Sequence, residues 1–177
     1  YLLGEDSNEL LVRIKKMKPI PGRGEWLDYG QDYKVLLDYA HTENAIFNVL
    51  KMIKQYSHRR VITVMGSAGG REKEKRKGMG NIALTLSDLV IFTMDDPRNE
   101  SVDEIIDDLV SGSDKKNYRR IFDRKQAIDY ALSIAQKDDV VAILGKGRDH
   151  YMAVGDQYLS YCDGDVIKEY YQKHKDR

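Results

Sequence analysis

"VLLDYAHTENAIF", residues 35–47, opens as an apolar run and passes at once into Asp38, His41 and Thr42, with helical spacing beginning at Ile46. A short, nearly continuous apolar run is a strand covered on both faces, as strands of a parallel sheet are. Thr42 is of N-cap type and stands just ahead of the stripe Ile46/Val49/Leu50/Ile53, whose i, i+3, i+4, i+7 spacing marks an amphipathic helix. A strand that feeds straight into a helix is half of a βαβ unit, and in an open α/β sheet the carboxyl end of such a strand is where ligands bind.

The same alternation runs along the chain. "KVLLDYA" (34–40), "RVITVM" (60–65), "DLVIFTM" (88–94) and "DVVAIL" (139–144) are strand-length apolar runs, and "YRRIFD" (118–123) is a weaker one. Between them lie three more helical stripes: Met79/Ile82/Ala83/Leu86, Val102/Ile105/Ile106/Leu109 and Ala127/Tyr130/Ala131/Ile134. Ser101 with Glu104 has the form of a capping box for the second of these. The order β-α-β-α-β-α-β-α-β predicts an α/β fold of Rossmann-like three-layer sandwich type, with a mainly parallel sheet of about six strands and an antiparallel edge strand. "YMAVGDQYLSYC" (151–162) reads as a hairpin around Gly155-Asp156 that supplies an antiparallel strand at one sheet edge, with a last helix from about Gly164. "EWLDYGQDYKVLL" (25–37) is expected to add a hairpin strand at the other edge.

The front end differs in kind. "SNELLVRIKKMKPIPGRGEW" (7–26) holds two of the three prolines and two close glycines, as a hinge does. The domain is therefore placed at 20–177, starting near Pro19 to Gly24, with residues 1–19 as the tail of a preceding domain. The sequence starts at Tyr1 rather than at a methionine, which suggests a piece of a longer protein.

Lysine plus arginine number 29 against 29 acidic residues, so no global charge points to nucleic acid or to a membrane surface. A single cysteine, Cys162, excludes an internal disulfide and a cysteine-rich zinc site, which fits a reducing, cytoplasmic setting. No run approaches the roughly 18 apolar residues of a membrane span, and no signal segment opens the chain. His58, His150 and His174 have no partner at metal spacing and are read as surface residues.

In a parallel sheet, the loops that leave the strands emerge on one edge. The polar clusters Asp38/Tyr39/His41/Thr42, "GSAGGREKEKR" (66–76), "DDPRNE" (95–100) and "GKGRDH" (145–150) all follow strands, so they are expected on a common rim. The glycine-rich loop is neither a P-loop, lacking Gly-Lys-Ser/Thr, nor a G-x-G-x-x-G dinucleotide fingerprint. Arg71 and Arg76 suit carboxylate or phosphate recognition because of their planar fork. Two carboxylates and an arginine on a proline-stiffened turn, Asp95, Asp96 and Arg98, resemble a zwitterion receptor: carboxylate for ammonium, guanidinium for carboxylate. An amino acid is such a ligand.

"VLLDYAHTENAI", "VMGSAGGREKEKRKGMG", "DLVIFTMDDPRNE" and "DVVAILGKGRDHY", in this order and at these intervals, resemble the C-terminal domain of the Mur ligases. The resemblance covers roughly residues 20–165 and is strongest to the MurE type, which adds the third peptide residue to UDP-N-acetylmuramoyl-L-alanyl-D-glutamate. Folylpolyglutamate synthetase shares the superfamily but is less similar in these loops. The resemblance implies an ATP- and Mg²⁺-dependent ligase that forms an acyl phosphate on the nucleotide-sugar peptide and then an amide with an incoming diamino acid. The P-loop, carbamylated lysine and metal ligands of such enzymes lie in a central domain, over which the C-terminal domain closes, and that domain and the N-terminal one would be this chain's partners.

By the same resemblance, Asp38, Tyr39, His41 and Arg76 face the nucleotide, Asp38 toward ribose and Arg76 near phosphate. Arg71, Asp95, Asp96, Arg98, Gly145 and Asp149 match the acceptor amino-acid pocket, and no metal ligand is expected in this domain. Diaminopimelate-adding relatives usually carry Asn at the place of Asp96, Glu at that of Asp149 and an acid at that of Gly70. The added charge of Asp96 favours an ammonium over a second carboxylate, so L-lysine is the expected acceptor. The retained Arg98 belongs to the diaminopimelate signature and keeps meso-diaminopimelate as the alternative. A non-catalytic regulatory module binding an amino acid or a nucleotide on the same scaffold is the competing class, and the missing glycine fingerprint argues against a nicotinamide enzyme.

Overall fold

The computed structural model describes residues 7–16, 20–56 and 59–174. Pro19 and His58 lie outside them, as do residues 1–6. Residues 7–16, for which the sequence suggested no element, form α1 (Ser7–Lys16), with Leu10, Leu11, Val12 and Ile14 exposed.

The rest follows the alternation. In chain order come β1 (Glu25–Leu27), β2 (Lys34–Asp38), α2 (Glu43–Tyr56), β3 (Val61–Met65), α3 (Glu74–Leu86), β4 (Leu89–Phe92), α4 (Val102–Val110), β5 (Tyr118–Arg120), α5 (Arg124–Ile134), β6 (Val140–Leu144), β7 (Tyr151–Val154), β8 (Gln157–Ser160) and α6 (Asp163–Lys173). The main sheet has six strands in the order β1-β2-β6-β3-β4-β5. All neighbours pair in parallel except β1, which runs antiparallel to β2 with Glu25 opposite Leu37. The expected edge strand from residues 25–37 is therefore present.

Successive side chains of a strand point to opposite faces, and here both faces are covered. Leu36, Val61, Val90, Phe92 and Ala142 pack with Ile46, Leu50, Ala83 and Ile106 of α2, α3 and α4. Val35, Leu37, Ile62, Ile91 and Val141 pack with Ala127, Ile128 and Ile167 of α5 and α6. Every residue of β3 and β6 is buried, which is why those strands read as nearly continuous apolar runs; the hydroxyl of Thr63 in β3 is met by Ser87.

Two local expectations are corrected. The 151–162 hairpin does not join a sheet edge; β7 and β8 form a separate two-stranded sheet, tied to the β4–α4 loop by the bridge between Arg98 and Val154 and by the Ala153 N–H bond to Asp96. The reason is topological. The chain leaves β6 between β2 and β3, which already pair to it, and only residues 145–150 separate β6 from β7, so the hairpin stands over the strand ends rather than reaching an edge. Ser101 does occupy the N-cap of α4, but its side chain makes no capping bond and no capping box forms. Thr42 Oγ1, by contrast, accepts from the Ala45 amide at the start of α2.

Candidate functional site

The loops leaving β2, β3, β4 and β6 meet at the carboxyl rim of the sheet and enclose a cleft of about 660 Å³, a size ordinary for a small-molecule site. Six of its lining residues are Arg71, Asp95, Asp96, Arg98, Gly145 and Asp149. Tyr39 and His41 line it as well, with Tyr151 from the hairpin. Segments more than a hundred residues apart in the chain thus share one concavity.

Backbone conformation builds the floor. Asp96 and Arg98 both take positive φ, 46° and 50°, on either side of Pro97, an arrangement that non-glycine residues seldom adopt. The turn is held from outside: Gly69 N–H donates to Asp96 O at 3.0 Å, the Arg98 guanidinium donates to Gly69 O at 2.6 Å, and Arg98 N–H donates to Ala153 O at 3.0 Å. Gly69 has to be glycine for this approach, since a Cβ there would lie 1.9 Å from Pro97 O. Gly145, at φ 115°, is equally constrained: a Cβ would lie 2.2 Å from Asp95 Oδ2.

The charges are arranged unevenly. Asp95 is buried, and burial drives its carboxyl above the ordinary aspartate value against the pull of Arg124 and Lys146. Lys146, 1% exposed, places Nζ 2.9 Å from Asp96 Oδ1 and 3.9 Å from a carboxylate oxygen of both Asp95 and Asp149. Its ammonium also lies 5.2 Å from the centre of the Tyr151 ring. Arg71 is exposed at the mouth, with no ion pair among the described residues. His41 is exposed, its Nδ1 2.8 Å from Tyr39 O, with its ring edge-on to Tyr39 at 4.9 Å. Burial raises the Tyr39 phenol, with Asp149 adding to the effect.

Asp38 and Arg76 do not line the cleft. Asp38 closes the turn after β2, its Oδ1 accepting from Ala40 N–H at 2.8 Å and its Oδ2 from Gly24 N–H at 2.6 Å. Arg76 is wholly buried at the start of α3, where Glu100, Asp108 and Ala68 O take up its fork. Its place is beneath the glycine-rich loop, because it falls in register with Met79 and Ala83 on the buried side of the helix.

A family model described as "Mur ligase, glutamate ligase domain" matches residues 22–147. The chain belongs to the Mur ligase family. It is 40% identical over 166 residues to the UDP-N-acetylmuramoyl-L-alanyl-D-glutamate–2,6-diaminopimelate ligase of Bacillus cereus, covering 94% of this chain and 34% of that protein. The protein of the same name from Fusobacterium nucleatum is 40% identical over 168 residues, 94% of this chain and 35% of its own length. A solved structure of a ligase of that name superposes with a TM-score of 0.84 at 29% identity, over 99% of this chain and 36% of that one. The chain spans about a third of the length of the curated relatives it matches, and it has the Mur ligase C-terminal fold.

Within this Mur ligase domain, sequence reasoning passed over Lys146 and Glu100. A lysine between two glycines reads as a solvated turn residue, and nothing in its spacing announces the carboxylates around it. Among the described residues no group of three His, Cys, Asp or Glu could hold a metal ion, so no role toward Mg²⁺ is assigned to these side chains. No helix among them is long and apolar enough to cross a membrane. Cys162 is buried at the N-cap of α6, and His150 and His174 are exposed.

Proposed function

We propose that this chain is the acceptor-binding part of a cytoplasmic ATP-dependent ligase that adds the third amino acid to UDP-N-acetylmuramoyl-L-alanyl-D-glutamate in peptidoglycan synthesis. Residues 1–19 belong, on this reading, to the tail of the ATP-binding domain that precedes it. The observation that supports it is the pairing, in one cleft, of Arg71 and Arg98 with Asp95, Asp96 and Asp149. Guanidinium groups bind the carboxylate of an incoming amino acid, and the carboxylates bind its ammonium groups. The names of the relatives, which are diaminopimelate ligases, support the same reaction class.

The chemistry runs through an acyl phosphate. The γ-phosphoryl group of ATP moves to the D-glutamyl carboxylate and ADP leaves; the acceptor amine, having lost a proton, attacks the carbonyl carbon. The tetrahedral intermediate expels phosphate, the nitrogen gives up its second proton to the departing phosphate, and the amide remains. The cleft's part is to hold the acceptor with its amine toward that carbonyl when the domain closes, and orientation of this kind can lower a barrier by about 7–11 kcal/mol. Tyr39 and His41, at the edge nearest the β2 loop, are assigned to the nucleotide. Asp38 and Arg76 act in this reading by holding the loops that carry those contacts.

L-Lysine is the favoured acceptor and meso-diaminopimelate the alternative. Asp96 and Asp149 set carboxylates where a distal ammonium is welcome, whereas a distal carboxylate would have to be met from Arg98, Arg71 or Lys75 against that negative charge. The test is ligation by the full-length protein with ATP, the UDP-linked dipeptide and each amino acid in turn. ATP-dependent amide formation with a diamino acid is expected. A protein that binds an amino acid or nucleotide but forms no amide would be the regulatory module instead.

A further inference from the structure

We propose that Lys146 is a positioning residue for the acceptor, aiming one oxygen of Asp96 into the cleft by occupying the other. This rests on the acceptor-pocket reading above and concerns how that pocket selects its ligand.

Asp96 Oδ1 accepts two bonds from within the protein, one from Lys146 Nζ at 2.9 Å and one from Ala153 N–H at 2.8 Å. Asp96 Oδ2 has no partner among the described residues and is not among the buried atoms left unsatisfied. It is therefore open to the cleft that Asp96 lines. Two donors on one oxygen fix the plane of the carboxylate, so the direction in which Oδ2 presents its lone pairs is set before a ligand arrives.

Lys146 itself has little freedom. Its side chain is 0% exposed, and the glycines on either side take conformations, φ 115° and 54°, that L side chains rarely adopt. Gly147 abuts Gly22, where a Cβ would lie 2.7 Å from Gly22 O. A buried ammonium needs paired charge, and Lys146 finds it in Asp96, with Asp95 and Asp149 each 3.9 Å away. One internal cation thus offsets part of a three-carboxylate cluster. The remaining negative charge is presented by Asp96 Oδ2 and Asp149, at the points a ligand ammonium would approach.

The experiment is steady-state ligation by the full-length protein, with L-lysine and meso-diaminopimelate as acceptors, in four forms: parent, Lys146→Met, Asp96→Asn, and the double variant. Lys146→Met should raise the acceptor KM about tenfold or more while kcat and the ATP KM stay within about threefold, the pattern of lost acceptor binding. Because Lys146 acts through Asp96, the double variant should match Asp96→Asn in acceptor KM within about threefold. An unchanged acceptor KM in Lys146→Met, a parallel rise in the ATP KM, or additive effects in the double variant would overturn the proposal. If Lys146→Met does not fold, Asp96→Asn against the double variant carries the test: agreement within about threefold supports it and a wider gap overturns it. A parent that ligates neither amino acid sinks the acceptor reading itself, a failure read from the parent alone.

Discussion

The Arg124 guanidinium and the Asp163 carboxylate meet with neither side chain reaching solvent, Nε on Oδ1 and Nη2 on Oδ2, both at 2.8 Å. Arg124 also donates to Leu144 O, at the end of β6, and to Met94 O, two residues beyond β4, so one side chain ties α5 and α6 to the two strands that lead into the cleft loops at 95–98 and 145–149. Removing one member strands the other charge in the interior, which costs about 3–5 kcal/mol. Arg124→Met and Asp163→Leu should each lose about that much in urea denaturation of the chain, and the double variant less than the sum, since it leaves neither charge behind. Additive losses would show that the two groups do not depend on each other.

Glu100 gives the glycine-rich loop a pH-dependent anchor. Its carboxyl is held down to about 2, from an ordinary 4.5, chiefly by Arg76 and then by the Gly70 amide, with burial working against them. A depressed carboxyl stabilises the fold fully above its unfolded value and loses that contribution as pH falls through the folded one. The loss attributable to Glu100 should therefore fall between pH 4.5 and about pH 2. Glu100→Gln should be less stable than the parent by about 1–2 kcal/mol at neutral pH, with the difference vanishing in that acid window. A difference that persists unchanged at pH 2 would show that the charge is not what matters.

What was readable in the sequence follows from what periodicity can carry. The strands were legible because burial on both faces leaves few polar positions to interrupt them: none in β6, and in β3 only Thr63, whose hydroxyl pairs with Ser87. The common rim followed from the parallel sheet alone. The strand order did not, and with it went the place of the hairpin: alternation cannot reveal that β6 inserts between β2 and β3. Arg76 is expected near phosphate from its residue type and from the family resemblance, yet the fold buries it against Glu100 and Asp108. Its position told otherwise, since Arg76, Met79 and Ala83 share one helical stripe, as Arg124, Ala127, Ile128 and Ala131 do. An arginine on an apolar stripe signals a buried guanidinium whose acid lies far along the chain, at the partly exposed Glu100 and Asp108 in one case and the buried Asp163 in the other.

Gly145 is the point where backbone shape and pocket charge are the same constraint. An alanine there would carry a side chain at φ 115° and press its Cβ against Asp95 Oδ2 at 2.2 Å. The strained backbone costs about 1–3 kcal/mol, and the displaced Asp95 should weaken acceptor binding. Gly145→Ala is expected to fold with that loss of stability and to raise the acceptor KM about tenfold, leaving the ATP KM within about twofold. Equal rises in both would place Gly145 in general support of the fold rather than in the acceptor pocket.

Asp96→Asn tests the choice of acceptor directly. The substitution keeps the shape of the side chain and an oxygen for Lys146 and Ala153 N–H, the partners that now hold Oδ1. What changes is the group open to the cleft: a carboxylate oxygen, which attracts an ammonium and repels a carboxylate, becomes an amide that can donate to a carboxylate. Arg98 remains beside it on the same turn to share that carboxylate. The ratio of kcat/KM for L-lysine over meso-diaminopimelate should therefore fall about tenfold or more, with the kcat/KM for meso-diaminopimelate rising in absolute terms. If the parent already prefers meso-diaminopimelate strongly, or the variant moves toward lysine, the charge at Asp96 is not what discriminates between the two, and Asp149 or Arg71 becomes the residue to change.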